Sequence, residues 1–408
     1  MDFDIDPDVR RARTLDKRFY LDEAAWALAR ERIFARSWLW VGALADVAAP
    51  ASLSPRTLLP GLLDEPLLLA RDEEGTLRCL SNVCTHRGNL LVHEAASGNS
   101  GGGGGEAQGG VQGIRCGYHS RRFDLAGRMT FMPGFEGACD FPSASDHLPQ
   151  LPFTAWHGHG FASLAAASPT PIADALGAIE ARLAGTGLLG RHAKSAESAE
   201  SAESADDTDD TDDTKGTPGL AAWPHDPSRD RAFEFDAHWA LYVENYLEGL
   251  HIPFVHPGLS AAIDWADYRY ELLPGGNLQL ALSRPGEAAF DNQGAAADAG
   301  ARIAAYYFWV WPNLMLNFYP WGLSLNLVLP LTPARTRVLF RSFVRDASRL
   351  GAGAGGALDP VEHEDEAVVL SVQRGLRARL YQRGRYSPRH ESGVHQFHRL
   401  IAAAMRAP

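Results

Sequence analysis

The chain has 408 residues, 45% of them hydrophobic and 22% charged, with a formal net charge of -12. This length and composition suit two domains that bury a sizeable core. The sequence has no run of eighteen apolar residues and no cationic, apolar start, so we expect a cytoplasmic protein without a membrane span. Its basic residues form no stripe, which argues against nucleic acid as a partner.

The first predicted element is a helix within residues 1–40. Apolar residues recur at helical spacing from Leu21 through Phe34 to Trp38, and acidic residues follow Leu21 directly. Beyond this segment, short runs rich in β-forming residues lie between glycines and prolines. These runs are 66–71, 76–81 and 160–164. We therefore expect an all-β domain over residues 41–165, preceded by the helical segment.

Two cysteine and histidine pairs lie within the predicted β domain, Cys84-x-His86 and Cys116-x-x-His119. The two cysteines can bind one iron as thiolates, while the two histidines bind a second iron through neutral ring nitrogens. Such a mixed-ligand iron–sulfur cluster has a higher potential than an all-cysteine cluster and passes single electrons. A structural zinc site is the alternative, because two cysteines and two histidines also satisfy tetrahedral zinc.

A glycine-rich insertion, residues 97–110, separates the two pairs. It lengthens the gap between His86 and Cys116 to 29 residues and includes the run Gly101 to Gly105. Such a tract behaves as flexible coil, and longer loops cost closure entropy only slowly. We therefore expect the cluster site to survive the insertion.

Most of the negative charge lies in a second insertion at residues 195–217. Ser-Ala-Glu triplets pass there into Asp-Asp-Thr repeats, which together carry nine acidic residues. Without them the net charge of the chain would be about -3. The stretch offers little apolar surface to pack, so we expect a disordered surface insertion. A docking site for a basic electron donor is the alternative.

Residues 218–408 mix helical and strand patterns and form the second predicted domain. Three runs predict consecutive strands of a curved antiparallel sheet, with prolines between them. They are 304–316, 322–329 and 337–345. Asp359, Pro360 and Glu362 stand in the order of an N-cap, a first-turn proline and a capping partner, so a long helix should begin at Asp359.

A second group of metal-binding residue types lies at 245–256. Glu248 precedes His251 by three residues, so on a helix the carboxylate and the imidazole share a face. Pro253 prevents regular continuation of that helix, which should swing His256 back toward His251. The sequence therefore predicts two converging imidazoles.

Two histidines and one carboxylate form the facial triad that holds non-haem Fe(II) with positions open for dioxygen. We take Asp365, in the first turns of the long helix, as the third ligand. Glu362 and Glu366 are rivals on the same side of that helix. An acidic first turn is ordinarily a surface feature that the helix dipole favours, so the assignment of Asp365 depends on the rest of the constellation.

These motifs resemble the α subunits of Rieske non-haem iron ring-hydroxylating oxygenases. Residues 82–88 and 116–119 are similar to the two ligand loops of a Rieske [2Fe-2S] domain. Other segments look like the branch that contains choline and carnitine monooxygenases. They are 245–249, 311–315, 371–376 and 384–386. The resemblance implies an α+β fold, in which an N-terminal all-β Rieske domain precedes a helix-grip (START-like) catalytic domain with a curved antiparallel sheet and a long C-terminal helix.

The resemblance also implies how the site works. Members form head-to-tail trimers, in which a carboxylate bridges a cluster histidine and an iron-ligand histidine of the next subunit. Glu248 matches that position, although most members have aspartate there, and Asn245 opens the same motif, so both are expected in the catalytic set. Electrons from an NAD(P)H-dependent reductase or a ferredoxin would reach the [2Fe-2S] cluster and pass through His119, Glu248 and His251 to Fe(II). The product would be a hydroxylated or dealkylated small molecule, with dioxygen as the oxidant.

The sequence motifs do not decide the identity of the substrate. Aromatic side chains crowd the strands that are expected to wall the pocket. They are Tyr306, Tyr307, Phe308, Trp309, Trp311, Phe318, Tyr319 and Trp321. Aromatic faces hold a quaternary ammonium by cation–π attraction, but they also suit an arene, and half of a strand's side chains point away. The resemblance favours a trimethylammonium compound over arene dioxygenation. A Rieske electron carrier and a hydrophobic-ligand-binding protein are alternatives from other classes.

Overall fold

The computed structural model describes residues 3–97, 111–166, 171–190, 219–290 and 298–407. All of the predicted acidic insertion, and all but the first residue of the predicted glycine-rich insertion, lie outside these residues. Within them, no helix is both long and apolar enough to cross a membrane.

The N-terminal segment forms three short helical pieces. Helix α1 spans Arg18–Leu21, α2 spans Glu23–Ala29, and a π-helical turn continues over Arg30–Phe34. Asp22 separates the first two, because its carboxylate accepts a hydrogen bond from the amide of Ala24 at 2.8 Å and caps α2. Apolar side chains of these turns are buried in the largest core cluster, together with residues of the C-terminal region.

Ten short strands are described in the N-terminal half. They are β1 Leu39–Ala43, β2 Ser52–Leu58, β3 Glu65–Arg71, β4 Leu77–Ser81, β5 Ile114–Arg115, β6 Arg122–Phe123, β7 Met129–Phe131, β8 Gln150–Leu151, β9 Phe153–Trp156 and β10 His159–Ala162. They pair in three sheets with the orders β2-β3-β4-β8, β5-β6-β7 and β1-β10-β9. A core cluster formed by the first two sheets contains Leu68, Leu80 and Phe123 together with Cys84 and Cys116. The sheets therefore place both cysteine-bearing loops against one apolar core.

The C-terminal region is built on one seven-stranded antiparallel sheet. Its strands are β11 Arg231–Phe235, β12 Ile263–Leu273, β13 Gly276–Ser283, β14 Ile303–Val310, β15 Leu314–Tyr319, β16 Gly322–Thr332 and β17 Arg335–Val344, in the order β11-β17-β16-β15-β14-β13-β12. The predicted single strand over 304–316 is wrong, since this run divides into β14 and β15 around a turn at 311–313. Pro312 stands in that turn, where its missing N–H costs no ladder hydrogen bond. Every residue of β14 and β15 is buried, so the middle of the sheet is covered on both faces.

Six further α-helices are described. They are α3 Ile172–Leu183, α4 Trp239–Tyr246, α5 Ile252–Val255, α6 Pro257–Ala262, α7 Leu358–Leu376 and α8 Ser392–Arg406. The long helix predicted to start at Asp359 is α7, but the prediction that Asp359 caps it is wrong. The helix begins at Leu358, which places Asp359 inside the first turn, where a carboxylate suits the dipole but cannot cap. The Asp359 carboxylate instead lies 3.3 Å from Nε of Arg231, and Glu362 turns into the protein.

Helices α4 and α7 lie against each other and bring predicted site residues together. The hydroxyl of Tyr242 donates to Glu362 at 2.7 Å, and the side-chain amide of Asn245 donates to Asp365 at 2.5 Å. A β-rich N-terminal region followed by an antiparallel sheet with helices confirms the predicted α+β class. The predicted domain boundaries stay predictions.

Candidate metal centres

The first candidate centre consists of two loops that carry Cys84 and Cys116. Both cysteines are only 2% exposed. The amide of His86 donates to the Cys84 sulfur. The amide of Tyr118 and the side chain of Asn89, the latter at 3.6 Å, donate to the Cys116 sulfur. Burial disfavours the charged form of Cys116, yet hydrogen bonds from the amides of Tyr118 and His119 and from the side chains of Cys84 and Asn89 outweigh it and lower its pKa. Burial raises the pKa of Cys84.

The rings of His86 and His119 form the other half of this centre. Their centroids lie 4.8 Å apart, and the Nδ1 atom of His119 is buried without a hydrogen-bond partner among the described residues. A buried ring nitrogen without a partner is unfavourable, and a bound metal would satisfy it. Two thiols and two paired imidazoles fit the donor set of a histidine-ligated [2Fe-2S] cluster.

A buried arginine, which the sequence did not single out, holds the two cluster loops together. Arg121 is 1% exposed and donates to Oγ1 of Thr85 at 2.9 Å and to Oδ1 of Asp146 at 2.6 Å. Thr85 follows Cys84 in the first loop, whereas Arg121 lies just beyond the second loop. The guanidinium therefore fixes the position of one ligand loop relative to the other.

The second candidate centre follows helix α4. This helix ends at Tyr246, so the prediction that Glu248 and His251 share a helix face is wrong, and both residues lie in an irregular segment. Pro253 does not end a helix either. It stands in the first turn of α5, where its missing N–H is no loss. The two imidazoles nonetheless converge, with the ring centroids of His251 and His256 5.0 Å apart.

Asp365 on α7 lies between these two imidazoles. Its Oδ1 atom is 3.0 Å from Nε2 of His256 and 3.5 Å from Nε2 of His251. The ligand atoms of the three residues all lie within 4.8 Å of one another. Two imidazoles and one carboxylate are the donors of a non-haem Fe(II) centre with open positions. The residues present therefore fit a mononuclear iron.

Both histidines of this centre have a carboxylate on the other ring nitrogen. Glu248 lies 2.5 Å from Nδ1 of His251, and Glu364 lies 2.7 Å from Nδ1 of His256. Such partners fix the orientation of metal-binding imidazoles and raise their basicity. Burial disfavours the charged form of His256, but hydrogen bonds to Asp365 and Glu364 outweigh it and raise its pKa. The contact of Glu364 was not predicted from the sequence.

The two rival carboxylates of α7 do not join this group. Glu362 is 4% exposed and accepts a hydrogen bond from Tyr242, while Glu366 lies 3.5 Å from Nδ1 of His363. Asp365 is therefore the one of the three that the structure brings to both histidines.

A cavity of about 100 Å³ lies beside the second centre. Five tyrosines form much of its wall. They are Tyr242, Tyr246, Tyr268, Tyr307 and Tyr319. Of the eight aromatic residues predicted to wall the pocket, Tyr307 and Tyr319 line this cavity, whereas the other six are buried but do not line it. The alternation of side chains along a strand explains Tyr306, Phe308 and Phe318, which point to the face opposite Tyr307 and Tyr319.

Two family models match the chain. The model described as "Ring hydroxylating alpha subunit (catalytic domain)" matches residues 220–407, and the model of the Rieske [2Fe-2S] domain matches residues 37–145. Together they cover most of the chain and contain both candidate centres. The first match decides against an electron carrier and a non-catalytic binding protein, and the second decides against a structural zinc site.

Curated relatives extend over nearly the whole chain. Choline monooxygenase, chloroplastic, of Arabidopsis thaliana is 27% identical over 98% of this chain and 85% of its own length. The carnitine monooxygenase oxygenase subunit of Escherichia coli (strain K12) is 26% identical over 97% of this chain and 95% of its own length. The similarity to oxygenases therefore includes the loops of both centres.

Solved structures of oxygenases have the same fold. A quaternary ammonium Rieske monooxygenase in complex with L-carnitine is 21% identical, with a TM-score of 0.67 over 98% of this chain and 97% of that one. Naphthalene 1,2-dioxygenase from Rhodococcus sp. bound to indole is 16% identical, with a TM-score of 0.63 over 97% and 95%. The chain thus belongs to the α subunits of Rieske ring-hydroxylating oxygenases, and it is an oxygenase catalytic subunit with a Rieske [2Fe-2S] domain and a candidate mononuclear iron site.

Proposed function

We propose that this oxygenase hydroxylates or oxidatively dealkylates a small ammonium compound, using dioxygen and electrons from an NAD(P)H-dependent reductase or a ferredoxin. Membership of the family implies a reductase partner and a small substrate. The observation that carries the proposal is the tyrosine wall of the cavity beside His251, His256 and Asp365. Each aromatic face attracts a quaternary ammonium by about 0.5–2 kcal/mol. Choline and carnitine monooxygenases among the relatives support the same class of substrate.

The proposal assigns a ligand role to the residues of both centres. Cys84, His86, Cys116 and His119 would hold the [2Fe-2S] cluster, and His251, His256 and Asp365 would hold Fe(II). When bound, these groups supply one-electron transfer and the activation of dioxygen. Glu248 and Glu364 orient the two imidazoles, and Asn245 holds Asp365 through its hydrogen bond. The buried tyrosines exclude water, so that oxidation is confined to the bound substrate.

The polarity of the cavity argues against an arene. Amide and hydroxyl groups also line the cavity, on Gln279, Asn317, Ser324 and Asn326. An arene would make no use of these polar groups, whereas a hydroxylated amine would.

We also propose that the chain acts as a homotrimer or a multiple of one, in the cytoplasm. Each centre has an exposed aromatic residue at its rim, which supports a contact between subunits. Tyr118, next to the cluster residue His119, is 59% exposed, and Phe254, between the two iron-centre histidines, is 81% exposed. In such a trimer Glu248 would face a cluster histidine of the neighbouring subunit. The structure of one similar quaternary ammonium Rieske monooxygenase is described as revealing insights into inter-subunit electron transfer.

The substrate class is tested by oxygen uptake. The reconstituted enzyme, with a reductase and NADH, is given trimethylammonium compounds, their tertiary amine analogues and one-ring and two-ring arenes. We expect uptake that is coupled to product formation with ammonium compounds and uncoupled or absent with arenes. Coupled oxidation of an arene at an equal or higher rate would contradict the proposal.

A further inference from the structure

A buried carboxyl group of the cavity wall has no assigned role in holding either metal. Glu362 lines the cavity and is 4% exposed. Its Oε2 atom accepts a hydrogen bond from the hydroxyl of Tyr242 at 2.7 Å. Its Oε1 atom is buried and has no hydrogen-bond partner within the described part of the chain.

An unpartnered carboxyl oxygen is unfavourable in a protein interior unless a ligand satisfies it. Burial raises the pKa of Glu362 well above its usual range, with Asp365, Glu366 and Asp359 adding to the effect through their negative charges. The hydrogen bond from Tyr242 acts in the opposite direction. A cation bound beside Oε1 would favour the carboxylate form and supply the missing partner.

The other charged groups of the cavity show which sign of charge it can accept. Three carboxylates line it, on Glu248, Glu362 and Asp365, and none of its described lining residues is lysine or arginine. Glu248 and Asp365 are engaged with His251 and His256. Glu362 is therefore the lining carboxylate that no histidine contacts, and a second anionic group in the cavity would meet no lysine or arginine among the described lining residues.

We propose that Glu362 is the anionic partner of the substrate's ammonium group, with the tyrosine rings covering the rest of that group. This inference rests on the proposed function. It follows that the cavity selects an ammonium compound that carries no carboxylate of its own over a zwitterion, because the zwitterion would bring its anionic end into a cavity already lined by carboxylates. The neutral amide and hydroxyl groups of the wall suit a hydroxyl at the far end of such a substrate.

The test measures the binding of three probes to the iron-loaded enzyme by titration calorimetry. The probes are choline, L-carnitine as a zwitterion, and the neutral isostere of choline in which a tert-butyl group replaces the trimethylammonium group. We expect the wild-type enzyme to bind choline at least about tenfold more tightly than L-carnitine, because both probes place an ammonium group beside Glu362 but only L-carnitine brings a carboxylate into a cavity lined by carboxylates. The neutral isostere should bind more weakly than choline.

The variant Glu362→Gln separates charge from shape, because the amide oxygen can still accept the hydrogen bond from Tyr242. We expect it to weaken choline binding by about tenfold or more and to leave binding of the neutral isostere unchanged. Asp359→Asn is the matched control, since it removes one charge from the same helix at an exposed ion pair with Arg231. This control should bind all three probes as the wild type does.

Three outcomes would overturn the role of Glu362. They are equal or tighter binding of L-carnitine by the wild-type enzyme, unchanged choline binding by Glu362→Gln, and equal weakening of choline and its neutral isostere, which would indicate a structural role. If the variant fails to fold or to retain iron, the comparison of the three probes on the wild-type enzyme still tests whether the cavity selects a cation without a carboxylate. Failure of every ammonium compound to bind or to support coupled oxygen uptake would instead overturn the proposed function itself.

Discussion

The variant Asp365→Ala is expected to lose the mononuclear iron and all coupled oxidation while it keeps the cluster. Oδ1 of Asp365 lies 3.0 Å from Nε2 of His256 and 3.5 Å from Nε2 of His251, so its removal leaves two imidazoles without the carboxylate of the triad. Iron should fall from about three atoms per chain to about two. Iron quantitation, together with the paramagnetic resonance signal of the reduced cluster, checks both parts of this result.

The neighbouring residue Glu366 provides the matched control for this experiment. Its carboxylate lies on the same helix but contacts His363, outside the group formed with the two histidines. Glu366→Ala should therefore keep about three irons per chain. If Glu366→Ala loses the mononuclear iron and Asp365→Ala retains it, the assignment of the third ligand is wrong.

The variant Glu248→Gln is expected to retain both metals and to lose turnover by about 10-fold to 100-fold. The carboxylate of Glu248 lies 2.5 Å from Nδ1 of His251, and an amide oxygen can accept the same hydrogen bond, so the imidazole stays in place. The amide lacks the negative charge that would join His251 to a cluster histidine of the neighbouring subunit in the proposed trimer. Stopped-flow reoxidation of the pre-reduced cluster by dioxygen in the presence of substrate measures the affected step.

Glu364→Gln serves as the comparison for Glu248→Gln. Glu364 makes the equivalent contact with His256, at 2.7 Å, but it lies on the helix that carries Asp365 and away from the motif that matches the bridging carboxylate. We expect reoxidation of the cluster to slow much more in Glu248→Gln than in Glu364→Gln, because the Glu364 variant affects only the orientation of His256. Equal rates in the two variants, or full activity of Glu248→Gln, would remove the bridging role.

The ligands of the cluster could be predicted because each cysteine lies two or three residues from its histidine. Spacing of that kind is visible in the sequence, and so is the pair His251 and His256. Asp365, by contrast, is 109 positions from His256, and no periodicity connects the two. Its assignment depended on the cluster motif and the histidine pair elsewhere in the sequence, and only the packing of α7 against α4 brings it to the histidines.

Other parts of the site could not be predicted, because they depend on which way a side chain faces. Tyr306 and Tyr307 are adjacent on β14, yet Tyr307 lines the cavity and Tyr306 does not. The contact of Glu364 with His256 depends in the same way on how α7 is rotated. The spacing of Tyr242 and Tyr246 could have predicted that they line one pocket, because residues four apart on a helix share a face. Both of them reach the cavity.

The most direct test of the two-centre account is the metal content of the purified, anaerobically reconstituted chain. Two irons of a [2Fe-2S] cluster and one mononuclear iron predict about three irons and about two inorganic sulfides per chain, with a brown colour and a low-temperature paramagnetic resonance signal after reduction. Asp365→Ala should lower the iron alone. Colourless wild-type protein that binds zinc, or that gives no signal after reduction, would contradict the account.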